Sequence, residues 1–152
     1  MILRPAQEAD REAVNSLARQ VHELHVNWRP DIFRPSAEFY NEKGFAKFFA
    51  EKLMYVAEAN GEVAAYVRFD LRELNHWSLM PRKILYVEEL CVAEPFRHQG
   101  IGRQLMLELR EIAKERGCTD MELSAVPQNE TAIRLYESLG FTVRHMDFQM
   151  KL

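Results

Sequence analysis

The stretch that decides the fold runs from residue 84 to residue 102 and reads ILYVEELCVAEPFRHQGIG. Its first half is rich in apolar and β-branched residues, which predicts a strand that ends near Val92. Pro95 then marks a turn. The pattern Arg-x-x-Gly-x-Gly over 97–102 leads into a long helix-period apolar pattern. The stretch therefore predicts a strand, a turn and the glycine-rich start of a helix.

The glycines at this helix start predict an anion-binding site. The first amide N–H groups of a helix have no partner within it, and the helix dipole adds partial positive charge there. Gly100 and Gly102 carry no side chain that would keep a pyrophosphate away from those amides. Arg97 and Arg103 can add charge-assisted hydrogen bonds. The pattern is neither a dinucleotide fingerprint nor a P-loop, because position 97 is arginine and no Gly-Lys-Ser/Thr ending follows.

Composition narrows the class of protein. The length of 152 residues is that of one ordinary domain, and we expect a single domain over 1–152. Hydrophobic residues make up 47% and charged residues 28%, as in globular proteins. Twenty Lys and Arg against 23 Asp and Glu give a net charge of −3. That balance argues against a nucleic-acid-binding protein, which needs a basic face to neutralise phosphates.

The cellular location is predicted from what the sequence lacks. No apolar run approaches the ~18 residues of a membrane span, and the first residues show no signal-peptide pattern. Cys91 and Cys118 form neither a disulfide framework nor a Cys-x-x-Cys metal pair. We therefore expect a cytoplasmic protein with reduced thiols, no membrane partner and no metal.

Periodicity predicts alternating helices and strands. Apolar residues at helical spacing predict helices over 10–28, 36–53, 99–117 and 129–139, with Asp10 and Ser36 as the caps of the first two. Apolar runs and period-two patterns predict strands over 2–4, 54–60, 62–74, 83–92, 121–126 and 141–150. The predicted fold class is therefore mixed α+β around one twisted sheet.

Two motifs together resemble a known family. The first is the stretch over 84–102, and the second, over 129–141, reads NETAIRLYESLGF. They resemble the signatures of the GNAT superfamily of acetyl-CoA-dependent N-acetyltransferases, whose second motif has the pattern Asn-x-x-Ala-x-x-x-Tyr ending in Gly-Phe. The motifs occur in the family's order, with one helix and one strand between them. The order of predicted elements resembles the family along nearly the whole chain.

The resemblance implies a GNAT-like fold and acetyl-CoA as cosubstrate. The implied sheet is mostly antiparallel, has six to seven strands and is flanked by about four helices. It splays between its fourth and fifth strands, and the pantetheine arm lies in the gap. The implied cofactor-binding residues are Leu90, Cys91, Val92, Arg97, His98, Gln99, Gly100, Ile101, Gly102, Arg103, Asn129 and Tyr136. Dimers are frequent in this fold, and the terminal strand offers an edge for a homodimer.

Direct transfer of an acetyl group to an amine needs a base and an acid. By resemblance, Tyr136 is the acid that protonates the departing thiolate, although a tyrosine that packs the core explains the residue without the motif. Glu88 and Glu89 are the candidate bases. Isolated buried charges are costly, so two adjacent carboxylates in an otherwise apolar strand indicate a specific role. Only a β-bulge would aim both into the cleft. By resemblance to polyamine-acetylating relatives, Glu88 is the base and Glu89 the amine anchor, with the order of roles left open.

The loop after the first predicted helix holds two candidate acceptor-binding residues, Trp28 and Asp31. An aromatic ring and a carboxylate suit a cationic amine, and anchoring of the loop explains them equally well. We expect a primary amine acceptor, with a small polyamine- or amino-compound-like molecule ahead of a protein or peptide. A non-catalytic acetyl-CoA-binding module is the alternative from another class. Cys91 invites a covalent acetyl-enzyme, but a cysteine in an apolar strand is more often an inert core residue.

Overall fold

The computed structural model describes residues 1–36 and 38–152. These residues form four α-helices, namely α1 (Arg11–Trp28), α2 (Glu42–Ala50), α3 (Ile101–Glu115) and α4 (Glu130–Ser138). They also form five strands, namely β1 (Ile2–Pro5), β2 (Met54–Ala59), β3 (Glu62–Leu74), β4 (Arg82–Val92) and β5 (Asp120–Leu123). Most of these bounds lie within a few residues of the predicted ones.

The five strands form one sheet in the order β1-β2-β3-β4-β5. The first three pairings are antiparallel, and β4 pairs with β5 in parallel. The parallel pairing follows from the crossover through α3, since parallel neighbours need a long connection. The mixed α+β class, the mostly antiparallel sheet and the four helices are confirmed for the described residues. The prediction of six to seven strands is wrong, because residues 1–36 and 38–152 form a sheet of five.

The strand predicted over 141–150 is the one that the sheet lacks. Residues 142–152 form neither helix nor strand and make no backbone–backbone hydrogen bond with any described residue. Apolar and polar residues still alternate along most of this segment, which is why the sequence predicts a strand. Alternation alone does not make a strand, because a strand also needs a neighbouring edge to pair with. In this chain the segment pairs with no edge.

Both faces of the sheet are covered. On one face, α3 packs Leu105 and Leu109 against Phe69 and Leu85 in a buried cluster. On the other face, α1 and α2 pack against the opposite side chains of β2, β3 and β4, including those of Val56, Tyr66 and Cys91. The central strands therefore carry apolar side chains on both faces. The helices of the two layers hold the β3–β4 pair in a fixed position at the centre of the sheet.

The second helix begins later than predicted. Its cap is Asn41, whose Oδ1 atom accepts a hydrogen bond from the Gly44 amide at 2.9 Å. Ser36, the predicted cap, lies in the preceding loop, and Ala37 lies outside the described residues. Asparagine and serine are both good N-caps, so local sequence does not distinguish the two positions.

The pairing of β4 with β5 ends halfway along β4. It runs from Ile84 opposite Asp120 to Val87 opposite Leu123, where β5 ends. Residues 88–92 of β4 continue without a strand on that side. A gap therefore opens between the fourth and fifth strands, as the resemblance implied. Unpaired backbone groups along such a gap can bind an extended ligand.

A buried ion pair fixes the start of the chain. Asp10 lies at the predicted N-cap position of α1, but its side chain makes no cap hydrogen bond to that helix. Its carboxylate accepts hydrogen bonds from Arg4 at 2.7 and 2.9 Å and from the Gln7 amide at 2.7 Å. Arg4 also contacts Glu58 on β2 at 3.1 Å. Burial raises the pKa of Asp10, but the hydrogen bonds from Arg4 and Gln7 outweigh it and lower the pKa overall. The ionised carboxylate is therefore the form that the fold stabilises.

We predict that Asp10→Asn lowers the free energy of unfolding by about 2 kcal/mol at pH 7, because it leaves the Arg4 guanidinium without its buried partner. The stabilisation is present above the unfolded-state pKa of about 4 and is lost as the pH falls through the lower folded-state pKa. Urea denaturation from pH 7 to pH 3 should therefore show the difference from the wild type shrinking below about pH 4.

Glu58→Gln is the matched control for this prediction. The Glu58 carboxylate shares Arg4 but is more exposed than that of Asp10. Loss of the Glu58 carboxylate should lower the free energy of unfolding by less than about 1 kcal/mol. Equal costs for the two substitutions, or a difference that is independent of pH, would contradict the assignment.

Candidate active site

A β-bulge brings the two adjacent glutamates to one place. Arg68 on β3 lies opposite Glu89, and the next pair is Phe69 opposite Val87, so Glu88 has no residue opposite it. The extra residue interrupts the alternation of side chains. The Arg68 guanidinium lies 3.9 Å from the Glu88 carboxylate and 3.5 Å from the Glu89 carboxylate. A bulge, the feature that could aim both carboxylates to one side, is present, and one guanidinium reaches both carboxylates.

Two buried tyrosines hold Glu89. Its Oε2 atom accepts a hydrogen bond from the Tyr66 hydroxyl at 2.7 Å and a further, short one from the Tyr40 hydroxyl. Arg68 Nε donates to the Tyr40 oxygen at 3.1 Å. Burial, followed by the charge of Glu89, raises the pKa of both hydroxyls well above the ordinary tyrosine value. Both therefore stay protonated and act as donors that fix the Glu89 carboxylate.

Glu88 is held by a different set of contacts. Its Oε1 atom accepts a hydrogen bond from Arg72 Nη2. The Arg72 guanidinium lies 3.5 Å from the centre of the Tyr86 ring, a cation–π contact. The Tyr86 hydroxyl lies 2.7 Å from the Ser124 hydroxyl, just beyond the end of β5. This chain of contacts links Glu88 to the rim of the gap between β4 and β5.

A cavity of about 300 Å³ lies beside Glu89. It is open on one side and is lined by aromatic, polar and charged side chains together with one glycine: Phe39, Tyr40, Asn41, Gly44, Phe48, Arg68 and Glu89. Arg68 lies 5.0 Å from the centre of the Phe48 ring. Apolar walls with a few convergent polar groups are typical of small-molecule sites. The cavity is large enough for a small amine and has a carboxylate at its wall.

The predicted anion site lies at the start of α3. Gly100 caps this helix in the left-handed conformation, with φ of 81°. A Cβ atom built there would meet no other atom within 4 Å, so the space in front of it is open. The first hydrogen bond of the helix runs from the Gln104 amide to the Gly100 carbonyl at 3.0 Å. The amides of Ile101, Gly102 and Arg103 therefore precede the helical ladder and are available to an anion.

Several side chains predicted to bind the anion also brace the loop at the helix start. Arg97 Nε donates to the Val92 carbonyl at 3.0 Å, and Gln99 donates to the Pro95 carbonyl at 2.9 Å. Arg103 donates to the Ser138 hydroxyl at 3.0 Å and so ties α3 to α4. His98 is exposed, with φ of 61°. In this geometry the cradle consists mainly of backbone amides.

Gly102 has a packing role that the sequence did not indicate. A Cβ atom there would lie 3.4 Å from Leu135 and 3.5 Å from Val92, and 4.0 Å from Leu90. The glycine lets α3 lie close to both α4 and β4. Leu90 and Val92 thus form the apolar floor between the β4 edge and the helix start.

Cys91 is part of the core. It is buried, and its Sγ atom donates to the Leu17 carbonyl at 3.2 Å. Burial raises the pKa of Cys91 to about 12. A thiol at neutral pH is a poor nucleophile, so this geometry does not favour a covalent acetyl-enzyme.

Tyr136 and Asn129 both lie on the second motif. The Tyr136 ring is partly buried and lies 5.9 Å from that of Phe141. Burial raises the pKa of Tyr136 to about 12, so its hydroxyl is protonated at neutral pH. Asn129 caps α4, since its Oδ1 atom accepts a hydrogen bond from the Ala132 amide at 3.3 Å.

Trp28 and Asp31 lie at the end of α1 and in the following loop. The Trp28 ring packs edge-on against His25 at 5.4 Å. Asp31 accepts hydrogen bonds from Arg29 at 2.8 and 2.9 Å and contacts Lys151 at 3.1 Å. The hydrogen bond from Arg29, followed by that from Lys151, holds the pKa of Asp31 well below its usual range. Among the described residues, neither side chain contacts the two glutamates.

The sequence analysis missed the residues that hold the glutamates, namely Tyr40, Tyr66, Arg68, Arg72 and Tyr86. Tyr66, Arg68 and Arg72 share one parity along β3, so strand alternation could have placed them on one face. Tyr40 carries no local signal, because it lies in a loop 49 residues before Glu89.

No cluster of three or more His, Cys, Asp or Glu side chains in residues 1–36 and 38–152 could bind a metal ion. Over the same residues, no helix is both long and apolar enough to span a bilayer.

Comparison with known proteins identifies the family. The profile of the acetyltransferase (GNAT) family matches residues 18–141, so the chain belongs to this family of acetyl-transferring enzymes. An uncharacterized N-acetyltransferase of Methanocaldococcus jannaschii is 31% identical over 110 residues, which cover 68% of this chain and 48% of that protein. The chain thus spans about half the length of that relative. Thialysine N-epsilon-acetyltransferase of Bos taurus is 27% identical over 92% of this chain and 83% of its own.

Solved structures share the fold. A crystal structure of a mutant of the BH1408 protein from Bacillus halodurans has a TM-score of 0.95 at 30% identity, covering 100% of this chain and 99% of that one. An aminoglycoside N-acetyltransferase solved in complex with CoA has a TM-score of 0.70 at 15% identity, covering 99% of this chain and 100% of that one. Because its identity is only 15%, the likeness to the aminoglycoside N-acetyltransferase concerns the fold alone.

We predict that the two cysteines differ in reactivity in the native protein. Titration with a thiol reagent at pH 8 should modify Cys118, which is partly exposed, before the buried Cys91. Cys118→Ser should remove the fast phase and leave a slow one that becomes fast on unfolding. A fast phase that survives in Cys118→Ser would show that Cys91 is accessible and more acidic than its burial implies.

Proposed function

We propose that residues 1–152 are one N-acetyltransferase domain that transfers the acetyl group of acetyl-CoA to a primary amine of a small, polyamine- or amino-compound-like acceptor. The observation that carries the proposal is the bulge at Glu88, which brings two carboxylates to one guanidinium next to the end of the β4–β5 pairing, with Glu89 lining the cavity. The name of the bovine relative, a thialysine N-epsilon-acetyltransferase, supports a small amine. Both cysteines are free, which supports a cytoplasmic location.

The coenzyme is proposed to bind along the gap and at the start of α3. The unpaired edge of β4 over Leu90, Cys91 and Val92 would hydrogen-bond the pantetheine arm. The amides over 97–103 would bind the pyrophosphate, and the open space at Gly100 supports this fit. The side chains of Arg97, His98, Gln99 and Arg103, with Asn129, would complete the site. Acetyl-CoA supplies the acetyl group as a thioester that an amine attacks.

The acceptor is proposed to enter from the cavity beside Glu89. Two tyrosines orient that carboxylate, which suits it to anchor an ammonium group. Glu88 would take the proton from the reacting ammonium, through water, since only a neutral amine has a lone pair to attack with. Trp28 and Asp31 would contact the far end of the acceptor. Asp31 already attracts one primary ammonium group, that of Lys151.

Two further groups would act on the reacting atoms. A backbone N–H at Cys91 or Val92 would donate to the carbonyl oxygen as negative charge develops there. Tyr136 would give its proton to the departing sulfur. The Tyr136 hydroxyl is protonated at neutral pH, so it has a proton to give.

The experiment that tests the function is thiol release from acetyl-CoA with a panel of acceptors. Polyamines, thialysine, ornithine and a set of N-terminal peptides should be compared at equal concentration. Turnover with the small amines supports the proposal, and turnover with peptides alone would move the chain to a protein acetyltransferase. Tight binding of acetyl-CoA without turnover on any amine would indicate a binding module.

Tyr136→Phe should lower kcat by about 100-fold, because the departing thiolate loses its proton donor. The Kd for acetyl-CoA, measured by calorimetry, should change little. Tyr55→Phe is the matched control, since Tyr55 is a partly buried tyrosine on β2 that packs against Phe69. A loss of affinity at constant kcat would make Tyr136 a binding residue.

Glu88→Gln should lower kcat/KM by about 100-fold at pH 7, because no carboxylate is left to take the proton. The loss should be partly recovered as the pH rises, since more of the acceptor is then neutral. Glu73→Gln, at an exposed position on the same hairpin, is the control and should follow the wild-type profile. A wild-type profile for Glu88→Gln would exclude it as the base.

Gly100→Val should weaken acetyl-CoA binding by at least about tenfold, because its side chain fills the space in front of the α3 amides. Gly61→Val is the matched control. Gly61 has the same φ of 81° and no atom within 4 Å of its Cβ position, but lies in the β2–β3 turn. Both variants carry the backbone strain, and only Gly100→Val should change the Kd. Equal effects on the Kd would contradict the proposed cradle.

A further inference from the structure

Asn15 on α1 is a buried polar residue that the proposed function does not use. It is only 5% exposed, and its neighbours on the buried side of the helix are the apolar residues Val14, Leu17 and Ala18. Asparagine is a poorer helix former than alanine or leucine, and a buried amide is costly unless its hydrogen bonds are made. A polar side chain at this position therefore indicates a specific partner.

The partner of Asn15 is the main chain of two loop residues. Asn15 Oδ1 accepts hydrogen bonds from the Phe39 amide at 3.1 Å and from the Tyr40 amide at 2.9 Å, and Asn15 Nδ2 donates to the Tyr40 carbonyl at 2.9 Å. Among the described residues, no backbone group pairs with these two amides or with this carbonyl. A side-chain amide offers an acceptor and a donor side by side, as a peptide group does. Asn15 thus takes the place of a neighbouring strand and fixes the main chain of Tyr40.

The loop residues that Asn15 holds form part of the acceptor cavity. Phe39 and Tyr40 both line the cavity, and the Tyr40 hydroxyl donates to Glu89 Oε2. Tyr66, the other donor to Glu89, lies on β3 and takes its position from the sheet. Tyr40 belongs to no helix or strand, so the position of its hydroxyl depends on the packing of its ring and on the hydrogen bonds of its main chain to Asn15.

We propose that Asn15 is a positioning residue for the acceptor, because it aims the Glu89 carboxylate into the cavity through Tyr40. The inference rests on the proposed function, in which Glu89 anchors the ammonium group of the acceptor. A hydrogen bond between an ammonium group and a carboxylate is directional, so it is strongest when the carboxylate is held in one orientation. Without Asn15, the Tyr40 hydroxyl loses its fixed position, and Glu89 keeps only the donor on β3. Binding of the acceptor should then weaken, while Glu88 and the β4–β5 gap stay unchanged.

A double-mutant cycle on the KM for the acceptor tests the proposal, with thialysine as the acceptor, or spermidine if thialysine is not acetylated. Asn15→Leu replaces the three hydrogen bonds by an apolar side chain of similar size and should raise the KM about tenfold. Tyr40→Phe should raise the KM by a similar factor. Asn15→Leu with Tyr40→Phe should raise it no further than the larger single effect, because both substitutions remove the same contact with Glu89. The kcat should change by less than about twofold in all three variants.

Two controls separate positioning from a general loss of structure. In the cycle of Asn15→Leu with Tyr66→Phe, the two increases in KM should multiply, because β3 places Tyr66 independently of Asn15. Val14→Ala, at a fully buried position of the same helix, should lower the Tm and leave the KM unchanged. An unchanged KM in Asn15→Leu, or increases that multiply in the Tyr40 cycle, would overturn the proposal.

Nuclear magnetic resonance gives a second test that does not use acetyl transfer. In the wild type, the amides of Phe39 and Tyr40 should exchange slowly with solvent although they lie outside every helix and strand. In Asn15→Leu, the signal of the Tyr40 hydroxyl proton should be lost and that of Tyr66 should remain. Fast exchange of the two wild-type amides, or a Tyr40 hydroxyl signal that survives in Asn15→Leu, would overturn the proposal. If these results hold but no amine is acetylated, the proposed function fails and the positioning of Glu89 by Asn15 stands.

Discussion

The whole site depends on β4 losing its regular pairing on both sides at one point. On the β3 side, the bulge leaves Glu88 without an opposite residue, and on the β5 side, pairing ends one residue earlier, at Val87. A regular strand would send Glu88 and Glu89 to opposite faces and would leave no backbone edge open. Because both irregularities occur together, carboxylates and unpaired backbone groups meet at the middle of the sheet.

Partly burying charged groups at such a point requires partners. Arg68 and Arg72 bring two guanidinium groups to the two carboxylates, and Tyr40 and Tyr66 donate to Glu89. A carboxylate in an apolar layer is stable only when its hydrogen-bonding capacity is met. The same partners that stabilise the glutamates also fix their orientation. Two packed layers of helices keep this arrangement in place, since the sheet cannot shift without disturbing both cores.

Much of the site was predictable because its signals are local. The Arg-x-x-Gly-x-Gly pattern and the helix that follows it lie within a few residues, so the open amides at the start of α3 could be predicted from residues 97–102 alone. The pair of adjacent glutamates was predictable as a candidate site for the same reason, because the two residues are neighbours in the sequence. Tyr40 was not predictable, because its contact with Glu89 joins a loop to a strand 49 residues away. The bracing roles of Arg97 and Arg103 also depend on carbonyl and hydroxyl groups that only folding brings near.

By itself, the sequence determined the mixed α+β class, the helices and most strands, because hydrophobic periodicity is a property of neighbouring residues. The sequence also determined where the glycine-containing helix start, with its free amides, would lie. Only the tertiary structure decided that the pattern over 141–150 forms no strand, since strand pairing depends on a neighbouring strand and not on the alternation of residues within the segment. The tertiary structure also decided that a bulge lies at Glu88, because the register of a strand is set by its pairing with a neighbouring strand.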